Sequence, residues 1–281
     1  YSGAYFQSKE QVMEGDSLLY DRENEIFRAY GNVKARDTLQ NSIILGDKLY
    51  FDERSDHIEV TENALYIMID GLDSLFLHAD TLLSYQIDSI DSRKIEAFHK
   101  VQFFRDDLQG RCDSLDYIIA DSTIHLFIDP ILWQNENQLT AIKIQIKLGD
   151  NGIDFIKMED KGFLITELDS SHYNQVKGKS VIGFFDNNSL NRVEVIGNGE
   201  SAFYPEDSNG KIGLNKVLCS EIQMLFKDGK VKQVKFDNDP VAELLPMSQL
   251  KAPDKFLEGF IWHIDFRPKG KTDVYKWNKG P

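Results

Sequence analysis

The feature that most constrains the fold of this chain is a short motif that recurs about seven times. A small residue is followed by Asp or Ser, then by an apolar residue two positions further on, and by another two positions beyond that. The first copy is Gly15-Asp16-Ser17-Leu18-Leu19-Tyr20. Clear copies begin at Gly46, Ala79 and Cys112, and weaker ones begin at Ala141, Lys179 and Cys219. Repetition every 30 to 40 residues or so indicates stacked structural repeats.

The two apolar positions of the motif form consistent columns. The first column contains Leu18, Leu49, Leu82, Leu115, Ile144, Ile182 and Ile222. The second contains Tyr20, Phe51, Tyr117, Ile146, Phe184 and Met224, with Ser84 as the one exception. A position that is always Leu or Ile predicts a buried row that runs from repeat to repeat.

A turn signal follows each copy of the motif at a distance of about 17 to 21 residues. The seven signals are Gly31-Asn32, Glu62-Asn63, His99-Lys100, Asp129-Pro130, Lys161-Gly162, Gly197-Asn198 and Asp239-Pro240. Gly, Asn and Asp tolerate turn dihedral angles and Pro imposes them. Between the signals, apolar residues alternate with polar ones, as at Ile58 and Val60, which is the period of a half-buried strand.

These patterns predict an all-β fold, an elongated solenoid in which each copy lays one strand on each of two facing sheets. The apolar columns would then be buried between the sheets. The terminal strands of such a stack present unpaired N–H and C=O groups, so each end must be capped or must meet another chain.

The repeats define residues 1–250 as one elongated domain, with room for two sub-blocks that meet near residues 147–178. Residues 251–281 break the pattern and contain Phe256, Phe260 and Trp262. We expect this segment to be a cap packed against the last rung, the alternative being a partner-binding tail. The chain also begins abruptly at Tyr1-Ser2-Gly3, which reads as the middle of a strand, so we expect an exported protein whose signal peptide is not in this sequence.

Charge and composition exclude some classes of function. The net charge is -14, and the acidic excess lies in residues 1–250, because residues 251–281 hold seven Lys/Arg against four Asp/Glu. An acidic body repels nucleic-acid phosphates, so we expect no nucleic-acid partner. No apolar run reaches the ~18 residues of a membrane-spanning helix.

Several polar residues were weighed as sites. Asp16, Asp47, Asp80 and Asp113 recur at one position just before a strand, where Asp usually satisfies a turn amide, so we favour a turn role over a metal or acid–base role. The six histidines are His57, His78, His99, His125, His172 and His263, and none lies at zinc-ligand spacing. We therefore expect no metal, no cofactor and no catalytic residue.

Cys112 and Cys219 occupy the same position in the fourth and seventh copies. Three rungs would separate them by roughly 14 Å at the spacing of neighbouring strands. A disulfide requires Cα atoms closer than about 7 Å. The sequence therefore predicts two unpaired thiols.

The motif Gly-Asp-x-Leu-x-Tyr/Phe, followed by a strand and Gly-Asn-Val, resembles the OstA-like repeat. That repeat occurs in the lipopolysaccharide transport proteins LptA and LptC and in the N-terminal domain of LptD. The best matches lie at residues 15–36 and 46–67, and the resemblance weakens toward residue 246. The block from Asn174 through Gly197-Asn198 to Tyr204-Pro205 is similar to the longer OstA-like proteins of Bacteroidetes-type bacteria.

The resemblance implies a β-jellyroll, or β-taco, in the periplasm. Two facing sheets would shield the acyl chains of lipopolysaccharide or a lipid A-like glycolipid, without catalysis, and terminal strands would join other transport-bridge proteins or further copies. The lipid-facing residues would be those of the apolar columns, namely Leu18, Tyr20, Leu49, Phe51, Ile58, Val60, Leu82, Leu115, Tyr117, Ile144, Ile146, Ile182, Phe184, Ile222 and Met224.

Two other classes of function stay open at this point. The first is a structural or adhesive solenoid of the cell envelope with a closed core and no lipid ligand. The second is a polysaccharide-degrading β-helix enzyme, which would need a carboxylate cluster with a Lys or Arg in one groove. No such cluster stands out in the sequence.

Overall fold

The computed structural model describes residues 3–7, 11–37, 41–69, 74–87, 89, 91–150, 152–208, 210–227 and 229–278. These residues are almost entirely β-strand and contain no α-helix, which confirms the all-β class. Short 3₁₀ helices span Ala252–Lys255, Ile264–Phe266 and Asp273–Tyr275. No helix in this part of the chain has the length and apolar character needed to cross a membrane. Tyr1 and Ser2, in the predicted N-terminal strand, lie outside the described residues.

The chain divides into two compact units. Unit 1 comprises Tyr1–Ile128 with Phe266–Pro281, and unit 2 comprises Asp129–Asp265. The division falls within the fourth predicted turn signal, whereas the sequence suggested a meeting point near residues 147–178.

The strands of unit 1 are β1 (Ala4–Gln7), β2 (Gln11–Gly15), β3 (Ser17–Asp21), β4 (Ile26–Asp37), β5 (Ser42–Asp52), β6 (His57–Thr61), β7 (Leu65–Met68), β8 (Leu75–His78), β9 (Thr81–Ile87), β10 (Ser92–Arg105), β11 (Leu108–Ile118) and β12 (Thr123–Phe127). Those of unit 2 are β13 (Ile131–Gln134), β14 (Asn137–Thr140), β15 (Lys143–Gly149), β16 (Gly152–Asp169), β17 (His172–Asp186), β18 (Ser189–Phe203), β19 (Glu206–Asp207), β20 (Gly210–Lys211), β21 (Gly213–Lys227), β22 (Lys230–Asp237) and β23 (Val241–Pro246).

Each predicted turn signal is a corner at which the chain passes from one sheet to the other. Two successive residues have left-handed backbone angles, with φ between 46° and 77°. The seven pairs are Gly31–Asn32, Glu62–Asn63, His99–Lys100, Ile128–Asp129, Asp160–Lys161, Gly197–Asn198 and Asn238–Asp239. In the long strands the register shifts at the pair, as between Tyr30 and Val33 of β4. This extra length is a β-bulge, which bends the strand without ending it.

The small residue of the motif lies on the inner side of the same corner. Because the two sheets converge there, little space remains for a side chain. A Cβ atom added to Gly46 would lie 2.4 Å from Cγ1 of Val60, on the other sheet. Gly178 has the same relation to Val195, also at 2.4 Å. Gly46 and Gly178 are therefore small for a steric reason.

The Asp of the motif fastens the corner from outside. The backbone N–H of Asp16 donates to the carbonyl of Gly31 at 2.9 Å, and Nδ2 of Asn32 donates to the Asp16 carboxylate at 2.9 Å. Asp47 repeats both contacts with Glu62 and Asn63. The backbone N–H of Asp80 donates to the carbonyl of His99, and its carboxylate accepts from Lys100. The backbone N–H of Asp113 likewise donates to its own corner, whereas its carboxylate faces His99 of the preceding one. These aspartates therefore have the turn role that the sequence favoured.

Within unit 1 the corners divide the long strands between two antiparallel sheets. In β4, residues 26–30 pair with β3 on the first sheet and residues 34–37 pair with β2 on the second. The first motif copy thus supplies two strand segments to each sheet, twice what the sequence suggested. The difference arises because β4 bends through the corner and continues as a strand, whereas a turn signal in a sequence reads as a strand end.

Residues 251–278, the C-terminal strap, cover the outer face of the second sheet. In unit 2, the buried Gln175 donates to the carbonyl of Lys255 at 2.9 Å and accepts from the N–H of Leu257 at 2.8 Å. Gln138 binds the carbonyl of Ile261 and the N–H of His263 at 2.8 and 2.6 Å. Apolar contacts reinforce these bonds in a cluster of Phe163, Ile165, Ala202, Tyr204, Leu214 and Leu257.

The strap uses similar contacts on unit 1. Nε2 of the buried Gln102 donates to the carbonyls of Val274 and Lys276 at 3.1 and 2.9 Å. The guanidinium of Arg111 lies 4.5 Å from the ring of Phe266 and 3.8 Å from that of Trp277, a double cation–π contact. The strap thus binds strand faces inside each unit, where the sequence suggested a cap on the last rung. The aromatic residues of this segment show in the sequence that it packs on something, but they do not identify the surface it covers.

We expect Gly46→Ala to lower the free energy of unfolding by about 1–3 kcal/mol, because the added methyl group overpacks the corner against Val60. Gly15→Ala is the matched control, since its new Cβ would lie 3.5 Å or more from its nearest neighbours. Urea unfolding of both variants makes the comparison. Equal stability of the two would contradict the steric role of the corner glycine.

We expect Gln138→Met to loosen the strap, because two strap backbone groups lose their partners at a cost of about 1–3 kcal/mol. Hydrogen exchange at the His263 amide should accelerate, while exchange in β15 and β16 stays unchanged. Gln233→Met, on the exposed side of β22, is the control. Unchanged protection of His263 in Gln138→Met would show that the glutamine does not hold the strap.

Candidate functional site

The candidate site is the space between the two sheets of each unit, and rows of side chains that run across the strands form its walls. In unit 1, strand register aligns one residue from each strand of the first sheet. The first row is Leu18, Ala29, Leu49, Val60, Leu82, Ala97, Leu115 and Leu126. The second row is Tyr20, Phe27, Phe51, Ile58, Ser84, Ile95, Tyr117 and Ile124.

All the column residues that the sequence assigned to unit 1 lie in these two rows. Most of them are buried, Leu49, Val60 and Leu115 among them. Leu18 and Tyr117 are half-buried. Tyr20 is 43% exposed, because β3 is the first strand of its sheet and no further strand covers the ring.

Unit 2 continues the pattern with one shift. Ile144, Ile146, Ile222 and Met224 are buried. The row through Ile144 is Ile144, Met158, Val181, Val195, Ile222 and Phe236, and the row through Ile146 is Ile146, Ile156, Gly183, Val193, Met224 and Val234. Val181 and Gly183 thus stand where the sequence placed Ile182 and Phe184.

The placement of Ile182 and Phe184 in these inner rows is therefore wrong by one residue. Ile182 pairs with Lys157 and Glu194 on the outer face, and Phe184 lies under the guanidinium of Arg192, 4.1 Å away. The corner residue of the sixth copy is Gly178, whereas the sequence alignment began at Lys179. A shift of one residue moves every side chain of a strand to the opposite face.

The opposing wall of unit 1 was missed by the sequence analysis. Its central row is Phe6, Met13, Ala35, Ile44, Tyr66, Leu77, Phe103 and Gly110. No constant residue type marks this row. In the sequence, this row is marked by alternating apolar and polar residues after the corner, as at Val33 and Ala35. Burial raises the pKa of Tyr66 to about 12, so its hydroxyl stays protonated at neutral pH.

The sheets of unit 1 are in close contact across this space. Met13, Ala35 and Ile44 of the second sheet line one narrow gap with Ile58 and Ile95 of the first. The gap has room for about one water molecule. Its rim is polar and includes Arg36, Asp37, Ser42, Ser84 and Arg93. The interior is thus apolar in its depth and charged at its mouth.

The inner face of the second sheet in unit 2 has two different rows. The deeper one is Leu139, Leu164, Val176, Ser201 and Val217, all buried. Nearer the mouth, Asn137, Thr166 and Asn174 follow one another across β14, β16 and β17. Oγ1 of Thr166 donates to Oδ1 of Asn137 at 2.7 Å. Here too, polarity increases toward the mouth.

The polar cluster around His172 lacks the geometry of a nucleophile relay. Ser171 and Asp169 lie 3.1 and 2.8 Å from the same nitrogen of His172, Nδ1. A nucleophile relay needs them on opposite ring nitrogens. A hydrogen bond from Lys211 holds the pKa of Asp169 well below its usual range, so this carboxylate stays ionised. Among the described residues no three His, Cys, Asp or Glu side chains are grouped as metal ligands.

Comparison with known proteins gives similar folds among solved structures alone. No family model matches the chain, and no curated protein matches it in sequence. Among solved structures, the chain is similar to LptH, the LptA homologous periplasmic component of the lipopolysaccharide transport device of Pseudomonas aeruginosa. The identity is 15%, the alignment covers 49% of this chain and 93% of LptH, and the TM-score is 0.38.

Both cysteines are free, and we expect them to differ in reactivity. Burial raises the pKa of both thiols, and that of the fully buried Cys112 the more. A disulfide-exchange reagent should label Cys219 in the native protein, faster as pH rises from 7 to 9, and should label Cys112 only after unfolding. Cys219→Ser is the control. A reactive thiol in native Cys219→Ser would contradict the buried position of Cys112.

Proposed function

We propose that this protein is a periplasmic lipid-transport component that shields the acyl chains of lipopolysaccharide, or of a lipid A-like glycolipid, between its two sheets. The observation that carries the proposal is the difference between the inner and outer faces of the sheets in unit 1. Continuous apolar rows face inward from both sheets, while the outer face of the first sheet carries charges such as Lys94, Glu96 and Asp116. The resemblance of the motif to the OstA-like repeat supplies the class of ligand.

The corner provides a way for the interior to open. The two sheets share their backbone along the corner, so the mouth on the opposite side can widen by bending there. An acyl chain that enters would replace side-chain contacts between the sheets with its own. Each CH₂ group removed from water contributes about 0.8 kcal/mol, so burial of ten methylene groups contributes about 8 kcal/mol against the cost of separating the packed rows.

The last rung of unit 2 supports the bridging part of the proposal. In β23, Val241 is 69% exposed, and Leu244 is exposed as well. Leu244 pairs with Asn215 of β21. Within the described residues, β22 and β23 each pair on one side, with β21, so their other edges offer backbone groups that no described strand pairs with. An added strand from a partner protein, or from a second copy, would satisfy these groups and cover the apolar side chains.

A structural envelope solenoid is the second candidate, and one observation favours it. The gap between the sheets of unit 1 admits about one water molecule, as a permanently closed core would. The two functions differ in a single property, because only the transport component parts its sheets for a lipid.

A photo-crosslinking amino acid placed at Leu49, in the inner row, tests this property. Glu59 on the neighbouring strand is the control position, since it pairs with Tyr50 on the outer face. With purified lipopolysaccharide, we expect crosslinks from position 49 and few from position 59. If the folded protein gives none from position 49, the interior is closed and the structural role replaces the transport role.

A further inference from the structure

A charged side chain that is almost wholly buried borders the gap between the sheets of unit 1. Arg93 begins the inner alternation of β10 that continues with Ile95 and Ala97. Its side chain is only 10% exposed. Nη1 donates to Oγ of Ser84 at 2.9 Å, and Nη2 donates to the carboxylate of Asp56. The same gap is lined by Met13, Ile44 and Ile58, so the guanidinium borders an apolar interior.

The fold accommodates this arginine at a cost. A buried guanidinium is tolerated only when it is paired and hydrogen-bonded. Ser84, the one exception in the second apolar column, lies opposite Ile58 and Ile95 in the register. A large apolar residue there would fill the space that the guanidinium occupies and would offer it no acceptor. Ser84, which breaks the apolar column, therefore makes the space and supplies the acceptor that the buried Arg93 needs.

The ion pair is asymmetric. The side chain of Asp56 is 39% exposed and belongs to the turn between β5 and β6, whereas Arg93 is nine-tenths buried. If the pair separates, Asp56 returns to water with little loss of free energy. Arg93 then needs another anion, because an unpaired buried charge is strongly destabilising. An anion that arrives through the mouth can thus replace Asp56.

Further polar groups line this gap. Tyr66 carries a hydroxyl donor, and burial raises its pKa to about 12. On the second sheet, Arg36 and Ser42 are further donors, whereas Asp37 is a carboxylate that accepts and would repel an anion. Guanidinium and hydroxyl donors together suit the oxygens of a phosphate or carboxylate, to which arginine can bind through two parallel hydrogen bonds.

We propose that Arg93 binds the anionic headgroup of an amphiphile whose acyl chain enters between the sheets of unit 1. The phosphate or carboxylate displaces Asp56 from the guanidinium, and the chain passes toward Ile44 and Ile58. This inference rests on the proposed function, to which it adds a headgroup requirement. When the headgroup anion replaces the Asp56 carboxylate, Arg93 keeps an anionic partner.

The test measures binding of four twelve-carbon probes to the full chain by calorimetry, below their critical micelle concentrations. Dodecyl phosphate and laurate carry the two anionic headgroups, dodecyl maltoside is neutral, and dodecyltrimethylammonium is cationic. We expect the wild-type protein to bind one or both anionic probes more tightly than the other two. The order of dodecyl phosphate and laurate distinguishes a phosphate-bearing lipid from a free fatty acid.

The variants are Arg93→Met, Arg93→Lys and Asp56→Asn, with Arg54→Met as the matched control, because Arg54 is exposed and pairs with Glu25. Loss of hydrogen bonds to a charged group predicts that Arg93→Met weakens binding of the preferred anionic probe roughly ten- to hundredfold. Binding of dodecyl maltoside should not change. Asp56→Asn removes the competing carboxylate and should strengthen anionic binding several-fold.

Three results would overturn the inference. Equal binding of anionic and neutral probes, unaffected by Arg93→Met, would remove the headgroup role and leave the acyl-chain site intact. Binding of none of the four probes would remove the proposed function as well. If Arg93→Met does not fold, Arg93→Lys and Asp56→Asn decide the question, since Arg93→Lys keeps the charge but loses the two-bond geometry. No change in anionic binding for either variant would refute the inference.

Discussion

The corner is the constraint on which the rest of this structure depends. A β-strand can pass between two sheets without losing its hydrogen-bonded neighbours only if it bends sharply, and here a pair of left-handed residues makes the bend. Asn, Asp and Gly adopt that conformation at low cost. The neighbouring strand must then bring a small residue to the inside of the bend and an acceptor to the outside. Gly46 and Asp47 meet these two needs.

The corner also fixes what each side chain can do. Because residues alternate between the faces of a strand, the distance from the corner decides whether a side chain faces the other sheet, the solvent or the strap. In β17, Val176 and Val181 face inward, whereas Gln175 faces the strap and binds its backbone. Apolar interior and strap contacts thus lie on opposite faces of the same strands, so the strap does not compete with the interior for residues.

Structure follows from sequence where local chemistry determines it. Most corner positions are Gly, Asn or Asp, and Leu18, Leu49, Leu82 and Leu115 stand at a constant position in the motif copies. Sequence gives little where the determinant is contact between distant segments. Nothing local distinguishes the inner row of Ala35 and Ile44, and the partners of Gln138 lie more than 120 residues away. The misplacement of Ile182 has a third cause. Side chains alternate between the two faces of a strand, so an alignment shifted by one residue assigns every side chain to the wrong face.

A residue that departs from a repeated apolar position indicates a requirement other than packing, because the other copies show which residue type packing favours there. Ser84 breaks the second column and is nevertheless buried, since Arg93 occupies the volume that a larger side chain would fill. Packing alone gives no reason for this exchange, because burying a guanidinium costs more than burying a leucine or tyrosine. The cost is met by Asp56, which is itself half in solvent. Arg93 is held between apolar rows by Asp56, which is partly exposed and can separate from it. Such a pair suits the binding of another anion better than it stabilises the fold. In the proposed amphiphile site, the polar side chains around Arg93 would select the headgroup, and the apolar rows would accept any acyl chain.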